Sequence, residues 1–248
     1  MDNSPLVSII TSTLNAGELL RQTIHAVRSL NYKNFEYIVI DGGSTDSTIE
    51  IAEQSRDVIT TFISEPDTGI YDAWNKGVGL AKGRYISFLG AGDGYLENGL
   101  LNLVNRAIAN PDADIVSSKI LFVRNGKPFR VMGSEWSWDK FRHSMTIAHA
   151  GTLHSIALFD KYGTFDTSFK IAGDYEYLLR AGKNLRTAYL DEVTTTMSWG
   201  GLSQTNNRCF IETEAAKLKN KSVGQFEAKL DLFLAKSKRT IRNAIGRY

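Results

Sequence analysis

Phe35-Glu36-Tyr37-Ile38-Val39-Ile40-Asp41-Gly42-Gly43 is a β-rich run that ends on an acid and two glycines, and Arg84-Tyr85-Ile86-Ser87-Phe88-Leu89-Gly90-Ala91-Gly92-Asp93 repeats the pattern further on. β-Branched and aromatic residues favour strands, and glycine ends them. Helical period fills the gaps between such runs. After a first strand at Leu6 to Ile10, Asn15 and Glu18 stand at capping-box spacing, and Leu20, Ile24 and Val27 share one face up to about Leu30. A helix follows from about Ser47. Val58 to Ile63 makes a third strand, Tyr71 to Ala81 a helix, and Asn98 is placed to cap a helix carrying Leu100, Val104, Ala107 and Ile108. Four strand-helix units therefore precede Pro111, the pattern of an α/β fold with a largely parallel sheet.

The second half is less regular. Ile115 to Val123 is strand-like, Gly126 and Pro128 suggest a turn, and Met132 to Thr152 carries Trp136, Trp138, His143 and His149 without clear period. Helices are predicted over Ser155 to Tyr162 and Asp174 to Ala181. The chain of 248 residues, 42% hydrophobic, is long enough to bury one large core. Its net charge of +2 conceals an asymmetry. The stretch from Lys217 to Tyr248 holds nine Lys/Arg against two acids, which leaves the body near −5. The partition is thus one domain over residues 1–216 and a basic extension over 217–248. In that extension Phe226, Leu230, Phe233, Leu234, Ile241 and Ile245 recur at helical spacing, while Lys229, Lys236, Lys238, Arg239, Arg242 and Arg247 supply charge. An amphipathic basic helix of this kind suits an anionic membrane surface or a protein face.

Cys209 is the single cysteine, so no internal disulfide or Cys-rich metal site is expected, and a reducing cytoplasm is the expected compartment. Met1 to Pro5 lacks a basic n-region, and Leu6 to Ile10 is too short for a signal peptide or a membrane span. Basicity is confined to the tail, and nucleic acid is not an expected partner. In open α/β sheets ligands bind beyond the carboxyl ends of strands, where Asp41 and Asp93 stand. Glycines beside each acid allow close backbone approach. An Asp-Gly pair also makes a turn, and the residues alone leave both readings open.

The run Val7-Ser8-Ile9-Ile10-Thr11-Ser12-Thr13-Leu14-Asn15, then Val39-Ile40-Asp41-Gly42-Gly43-Ser44-Thr45-Asp46, then Ser64-Glu65-Pro66-Asp67-Thr68-Gly69-Ile70-Tyr71-Asp72-Ala73-Trp74-Asn75-Lys76-Gly77, then Phe88-Leu89-Gly90-Ala91-Gly92-Asp93 resembles glycosyltransferase family 2 in order and spacing. The resemblance implies a GT-A fold, a Rossmann-like mixed, mostly parallel sheet flanked by helices, here with a helical C-terminal tail. It implies inverting transfer of a sugar from a UDP-, GDP- or dTDP-linked donor to a hydroxyl. By the same likeness Asp41 matches the acid that bonds the base, Thr11 and Thr13 the base-pocket loop, and Asn75 a donor-pocket residue. Lys76 adds charge there or sits on a solvated helix face. Asp93 matches the acid that holds Mg²⁺ or Mn²⁺ on the diphosphate. Gly92 stands where members commonly have a further acid, Leu14 where many have a base-stacking aromatic, and Trp74 where many have an arginine.

Phe165 to Arg180 is similar to the family segment with the catalytic base, and Asp174 is the matching carboxylate, with Glu176 its nearest substitute. An Asp before an amphipathic run is also a normal N-cap. His149 matches a histidine near the donor phosphates or acceptor. Trp136, Trp138 and Trp199 suit either sugar stacking or the core, and Gly200-Gly201-Leu202-Ser203 resembles a mobile loop near the active site. The acceptor implied is a bacterial surface polysaccharide or lipid-linked oligosaccharide at the inner face of the plasma membrane. Other classes lack their marks. No G-x-G-x-x-G follows the first strand, no P-loop is present, and no Gly-rich basic loop holds a triphosphate. A non-catalytic nucleotide-sugar-binding or scaffold protein on a degenerate fold is the remaining rival, and Gly92 is its best argument.

Overall fold

The computed structural model describes residues 7–244. Met1 to Leu6, Ile245 and Arg247, and the side chain of Arg242, lie outside the described residues. The first half follows the sequence pattern. Strands β1 (Val7–Thr13), β2 (Phe35–Asp41), β3 (Thr61–Ser64) and β4 (Tyr85–Phe88) alternate with helices α1 (Gly17–Arg28), α2 (Thr48–Glu53), α3 (Ile70–Leu80) and, after β4, α4 (Gly99–Ile108). β1 pairs in parallel with both β2 and β4, and β2 with β3. Residues of β1 alternate between two cores: Ile10 packs with Trp74, Phe88 and Phe165 on one face of the sheet, while Val7 and Ile9 pack with Leu20, Ile24 and Leu103 on the other.

The second half adds a mixed sheet. β5 (Gly94–Tyr95), β6 (Ile115–Arg124), β7 (Lys127–Met132), β8 (Thr152–Ser155) and β9 (Thr187–Ser198) extend the order to β3-β2-β1-β4-β8-β6-β9-β5, with β7 paired to β6. β6 and β9 are parallel, whereas β8 runs antiparallel to both β4 and β6. The helices of this half are α5 (Trp138–Phe141), α6 (Ile156–Tyr162), α7 (Gly173–Ala181), α8 (Leu202–Thr205), α9 (Arg208–Lys219) and α10 (Gln225–Ala244). Among the described residues no helix is long and apolar enough to cross a membrane.

Two local readings change. Asn15 does not close a capping box with Glu18: it has φ +47, and its side-chain oxygen accepts from Thr45 N at 2.8 Å. The start of α1 is instead held by the β2–α2 loop and the first residue of α2, where Ser44, Thr48 and Asp46 accept the backbone N–H groups of Asn15, Ala16 and Gly17 respectively. The boundary at 216/217 falls inside α9. Ala216 is fully buried, and Lys217 is 2% exposed, paired with Asp231 of α10 at 2.7 Å. The C-terminal helices are therefore built onto the body.

Candidate active site

A cleft of about 1380 Å³ opens beyond the carboxyl ends of β1 and β4, larger than the roughly 300–1,000 Å³ of a single small-ligand pocket. Asp93 and Asp174 both line it. Asp93 leaves the turn after β4, and its Oδ1 accepts Ser198 N at 3.1 Å from the end of β9. Burial pushes its carboxyl up to about 7, against the backbone N–H groups that favour the charged form. Gly92 has φ +91, a backbone that L side chains rarely adopt, and a Cβ there would lie 3.1 Å from Leu19 Cδ2. The local backbone thus favours glycine at this position.

Asp174 sits inside the first turn of α7, whose N-cap is Ala172. Its Oδ1 accepts Tyr175 N at 2.9 Å and the Tyr71 phenol at 3.2 Å. Burial pushes this carboxyl up to about 6, and those hydrogen bonds hold it from rising further. Tyr71 comes from the first turn of α3. Its ring passes so close to Gly173 that a Cβ there would meet it at 2.7 Å. The loop before α7 is held by Glu212 of α9, which accepts the N–H groups of Lys170, Ile171 and Ala172 at 2.7–3.1 Å. Glu176 points elsewhere. It is fully buried, pairs with Arg180 at 2.6 Å and Lys219 at 3.1 Å, and is not among the cleft residues, so it is no substitute base.

The other expected site residues divide. Thr13 lines the cleft with its hydroxyl buried and unpartnered, whereas Thr11 is buried and accepts the Tyr37 phenol at 3.1 Å. Asp41 is fully buried at the end of β2. It accepts Gly43 N at 3.1 Å, Ser44 N at 2.9 Å and Ser64 Oγ at 2.7 Å, and the Ser44 hydroxyl as well, so here it organises the turn. Asn75 and Lys76 are not brought to the cleft. Asn75 exchanges a pair of 2.9 Å hydrogen bonds with the Phe165 backbone, and Lys76 pairs with Glu65 at 2.8 Å. His149 does line it, with both ring nitrogens buried and unpartnered. The ring stacks on Trp74 at 5.0 Å and Phe88 at 5.2 Å, and burial drops its pKa to about 3, leaving it neutral. Leu14, 54% exposed, lies at the rim. Trp199, Gly200, Gly201 and Ser203 also line the cleft, while Trp136 and Trp138 pack against the core.

Tyr71, Ser198 and Glu212 escaped the sequence reading. Tyr71 lay inside a quoted motif, but nothing in its spacing says that it reaches Asp174. Ser198 and Glu212 act through backbone contacts that carry no local pattern.

The sheet is open, and the cleft at its strand ends is faced by the buried Asp93 and the half-buried Asp174. The family described as "Glycosyl transferase family 2" matches residues 8–164. A PGL/p-HBAD biosynthesis glycosyltransferase of Mycobacterium bovis is 30% identical over 209 residues, 82% of this chain and 80% of its own. An uncharacterized glycosyltransferase of Rickettsia typhi is 30% identical over 223 residues, 85% of this chain and 69% of its own. Among solved structures, S. aureus TarS in complex with UDP-GlcNAc superposes with TM-score 0.70 at 17% identity, covering 91% of this chain and 70% of that one. The Pyrobaculum calidifontis mannosyltransferase in complex with GDP-Man and Mn²⁺ gives TM-score 0.64 at 16% identity, covering 98% and 79%. The chain belongs to glycosyl transferase family 2 and is a glycosyltransferase with the GT-A fold.

Proposed function

We propose that the chain transfers a sugar from a nucleoside diphosphate donor to an acceptor hydroxyl with inversion, with Asp174 as the general base. The observation that carries this reading is that Asp93 and Asp174, distant in sequence and both with raised pKa, face one cleft. A base poised near 6 is ionised at neutral pH and still basic enough to accept a hydroxyl proton in the transition state. Tyr71 aims the carboxylate, and Glu212 fixes the loop that carries it. With a single base at work, no carboxylate nucleophile and no covalent sugar intermediate are required.

A divalent cation fits Asp93. Its Oδ1 is occupied by Ser198 N, and Gly90 leaves room beside Oδ2, since a Cβ there would crowd that oxygen at 2.9 Å. The described residues hold no cluster of three or more His, Cys, Asp or Glu that could enclose a metal ion. This suits Mg²⁺ or Mn²⁺, which bind through one or two carboxylates, substrate phosphates and waters. Bound there, the cation supplies positive charge to the departing diphosphate. Thr13 and the backbone around it face the donor side, and neutral His149 offers a ring nitrogen to a hydroxyl or phosphate oxygen.

The acceptor that the family resemblance implies is a bacterial surface polysaccharide or lipid-linked oligosaccharide, and the exposed apolar and basic residues of α10 support work at an anionic membrane. A panel of UDP-, GDP- and dTDP-sugars, assayed with and without Mn²⁺ and with product stereochemistry read by NMR, tests the proposal. Retained anomeric configuration overturns the mechanism. Binding of donors without any turnover or hydrolysis favours the scaffold reading.

A further inference from the structure

The segment between β9 and α9 borders the cleft and has little structure of its own to hold it. Trp199, Gly200, Gly201, Ser203 and Gln204 line the cleft. Ser198, just before them, donates its N–H to Asp93 Oδ1 at 3.1 Å and its hydroxyl to Gly92 O at 2.9 Å. Beyond Trp199 the chain turns at Gly200, at φ +112 with open space around it, and forms α8, four residues long. A helix that short is unstable by itself, since isolated helices below about 12–15 residues are marginal in water. Ser203 and residues 205–208 are exposed and polar, and they supply no apolar packing.

Arg239 of α10 holds it. Its Nη2 donates to Ser203 O at 3.0 Å and to Cys209 Sγ at 3.5 Å, and its Nη1 to Asn207 Oδ1 at 3.2 Å and Asn206 O at 3.4 Å. The guanidinium carbon lies 4.2 Å from the centre of the Phe210 ring. Ser203 O and Asn206 O belong to α8 and the residue just past it, where carbonyls lack helical partners and a cation is favoured. Among the described residues, every other hydrogen bond of 200–207 stays within the segment or runs to the first turn of α9. The planar guanidinium fork reaches four acceptors at once, more than the three donors of an ammonium can. The same face of α10 is seated at its other end. Asp231, Ala235 and Arg239 recur at four-residue spacing and all line the cleft. Asp231 accepts Lys217 Nζ at 2.7 Å and meets His143 Nδ1 at 2.9 Å.

We propose that Arg239 is a positioning residue for donor binding: it latches residues 200–207 against the cleft, so that nucleotide affinity depends on how α10 is seated. The inference rests on the transferase reading above and gives α10 a part in the donor site. Arg239 acts through the segment, since the four acceptors and the ring that it reaches all belong to residues 203–210. Released from Arg239, α8 frays, and the glycine pair at 200–201 lets the segment leave the cleft. The end of β9, which holds the Gly92-Asp93 turn through Ser198, then loses its support. Arg239 also lines the cleft itself, so direct attraction of a diphosphate is the competing account.

Hydrogen–deuterium exchange on the full chain, alongside calorimetry with UDP and with GDP in the presence of Mn²⁺, tests this. In Arg239→Gln the amides of 200–207 should exchange about tenfold faster, those of β1 and α1 should keep the parent's rates, and nucleotide affinity should fall about tenfold. Asn207→Ala removes one acceptor that lies outside the cleft lining. It should move exchange and affinity the same way by a smaller factor, and it carries the test if the Gln variant fails to fold. In Arg239→Lys, which keeps the charge, affinity should follow exchange. Affinity restored there while the segment still exchanges fast assigns Arg239 to direct attraction of the diphosphate and overturns the latch. Unchanged exchange in Arg239→Gln, or faster exchange with nucleotide affinity unchanged, overturns it too. Should the parent bind neither nucleotide while Arg239→Gln frees the segment, the transferase reading fails and Arg239 stands as the latch of the segment alone.

Discussion

Tyr71 and Asp174, 103 positions apart, meet at the cleft, where the phenol proton is shared between Asp174 Oδ1 at 3.2 Å and the Ile171 carbonyl at 2.8 Å. A donor on a carboxylate favours its ionised form, so this contact lowers a pKa that burial raises. Tyr71→Phe keeps the ring against Gly173 and removes only the hydroxyl. A hydrogen bond to a charged group contributes about 1.5–3 kcal/mol, and this one is long and shared, so the acid limb of the pH–rate profile should move up by about one unit. The rate at pH 6 should fall more than the rate at pH 8. A limb that stays in place would show that another group titrates.

Asp174→Asn separates catalysis from stability. Rate should fall by about 10²- to 10⁴-fold with donor affinity nearly unchanged. Stability should move the other way, because burial holds the folded-state pKa, about 6, above the ordinary carboxylate value of 3.8. The folded chain binds this proton more tightly than the unfolded chain, so the carboxylate's burden is absent below about pH 4, grows between pH 4 and 6, and is full above 6. The Asn variant should be more stable than the parent at pH 8, by about 2 kcal/mol, and equal to it near pH 3.5. Asp174 keeps an edge on the open cleft, which holds the gain below the full shift. Urea unfolding at the two pH values checks the sign. A variant less stable at pH 8 would mark Asp174 as structural.

Much of this arrangement was legible in the sequence. The strand that ends on Asp41 and the strand that leads into the Asp93 turn appear where the pattern placed them, because a strand buried on both faces is a continuous apolar run. β9 was missed: Thr187–Ser198 carries Asp191 and Glu192 in its middle and follows no clean alternation, since it changes register against β6 twice. Of the C-terminal helices, α10 was legible in period, whereas α9 was not read as a helix. The buried face of α9 is Glu212, Ala216 and Lys217, while Ile211 and Leu218 are 61% and 39% exposed. Hydropathy cannot announce a helix that turns charges inward, because those charges are paid for by partners remote in sequence, Asp231 for Lys217 and the Lys170–Ala172 backbone for Glu212. Asn75 lies off the cleft, and Lys76 takes the helix-face alternative, for a related reason: a motif gives the residue type and leaves open which way the helix presents it.

Gly92→Asp supplies the further acid that the family resemblance implies at this position, and the backbone resists it. At φ +91, with Leu19 Cδ2 3.1 Å from the new Cβ, the variant should lose about 1–3 kcal/mol of stability, the usual cost of a side chain in a sparsely populated conformation. Metal-dependent donor affinity should not improve, as the strained turn also displaces Ser198, whose hydroxyl donates to Gly92 O at 2.9 Å and whose N–H holds Asp93. Thermal unfolding together with Mn²⁺-dependent nucleotide titration reads both. Tighter, metal-dependent binding without destabilisation would show that the turn tolerates an acid.

The outer face of α10 exposes Phe226, Leu230, Phe233, Leu234 and Ile241, and Lys229 and Lys236 stand beside them. Ile211 and Leu218 of α9 add to the same exposed apolar population. A face of this composition suits the interface of an anionic membrane, with apolar rings below the headgroups and ammonium groups among them. Each basic residue near such a surface contributes about 1 kcal/mol, and each aromatic ring removed from water about 1.5–3 kcal/mol. Truncation after Ala216 is the wrong probe, because it cuts α9 and removes Lys217 and Asp231 from the cleft wall. The double substitution Phe226→Ser with Phe233→Ser leaves that wall untouched. Full-length protein should sediment with phosphatidylglycerol vesicles, weakly with phosphatidylcholine vesicles, and less at high salt. The double variant should lose at least tenfold in partitioning while keeping its fold and its nucleotide affinity. Equal sedimentation of variant and parent would sink the membrane reading, and a parent dimer that the variant lacks, seen by gel filtration, would assign the face to a second copy of the chain.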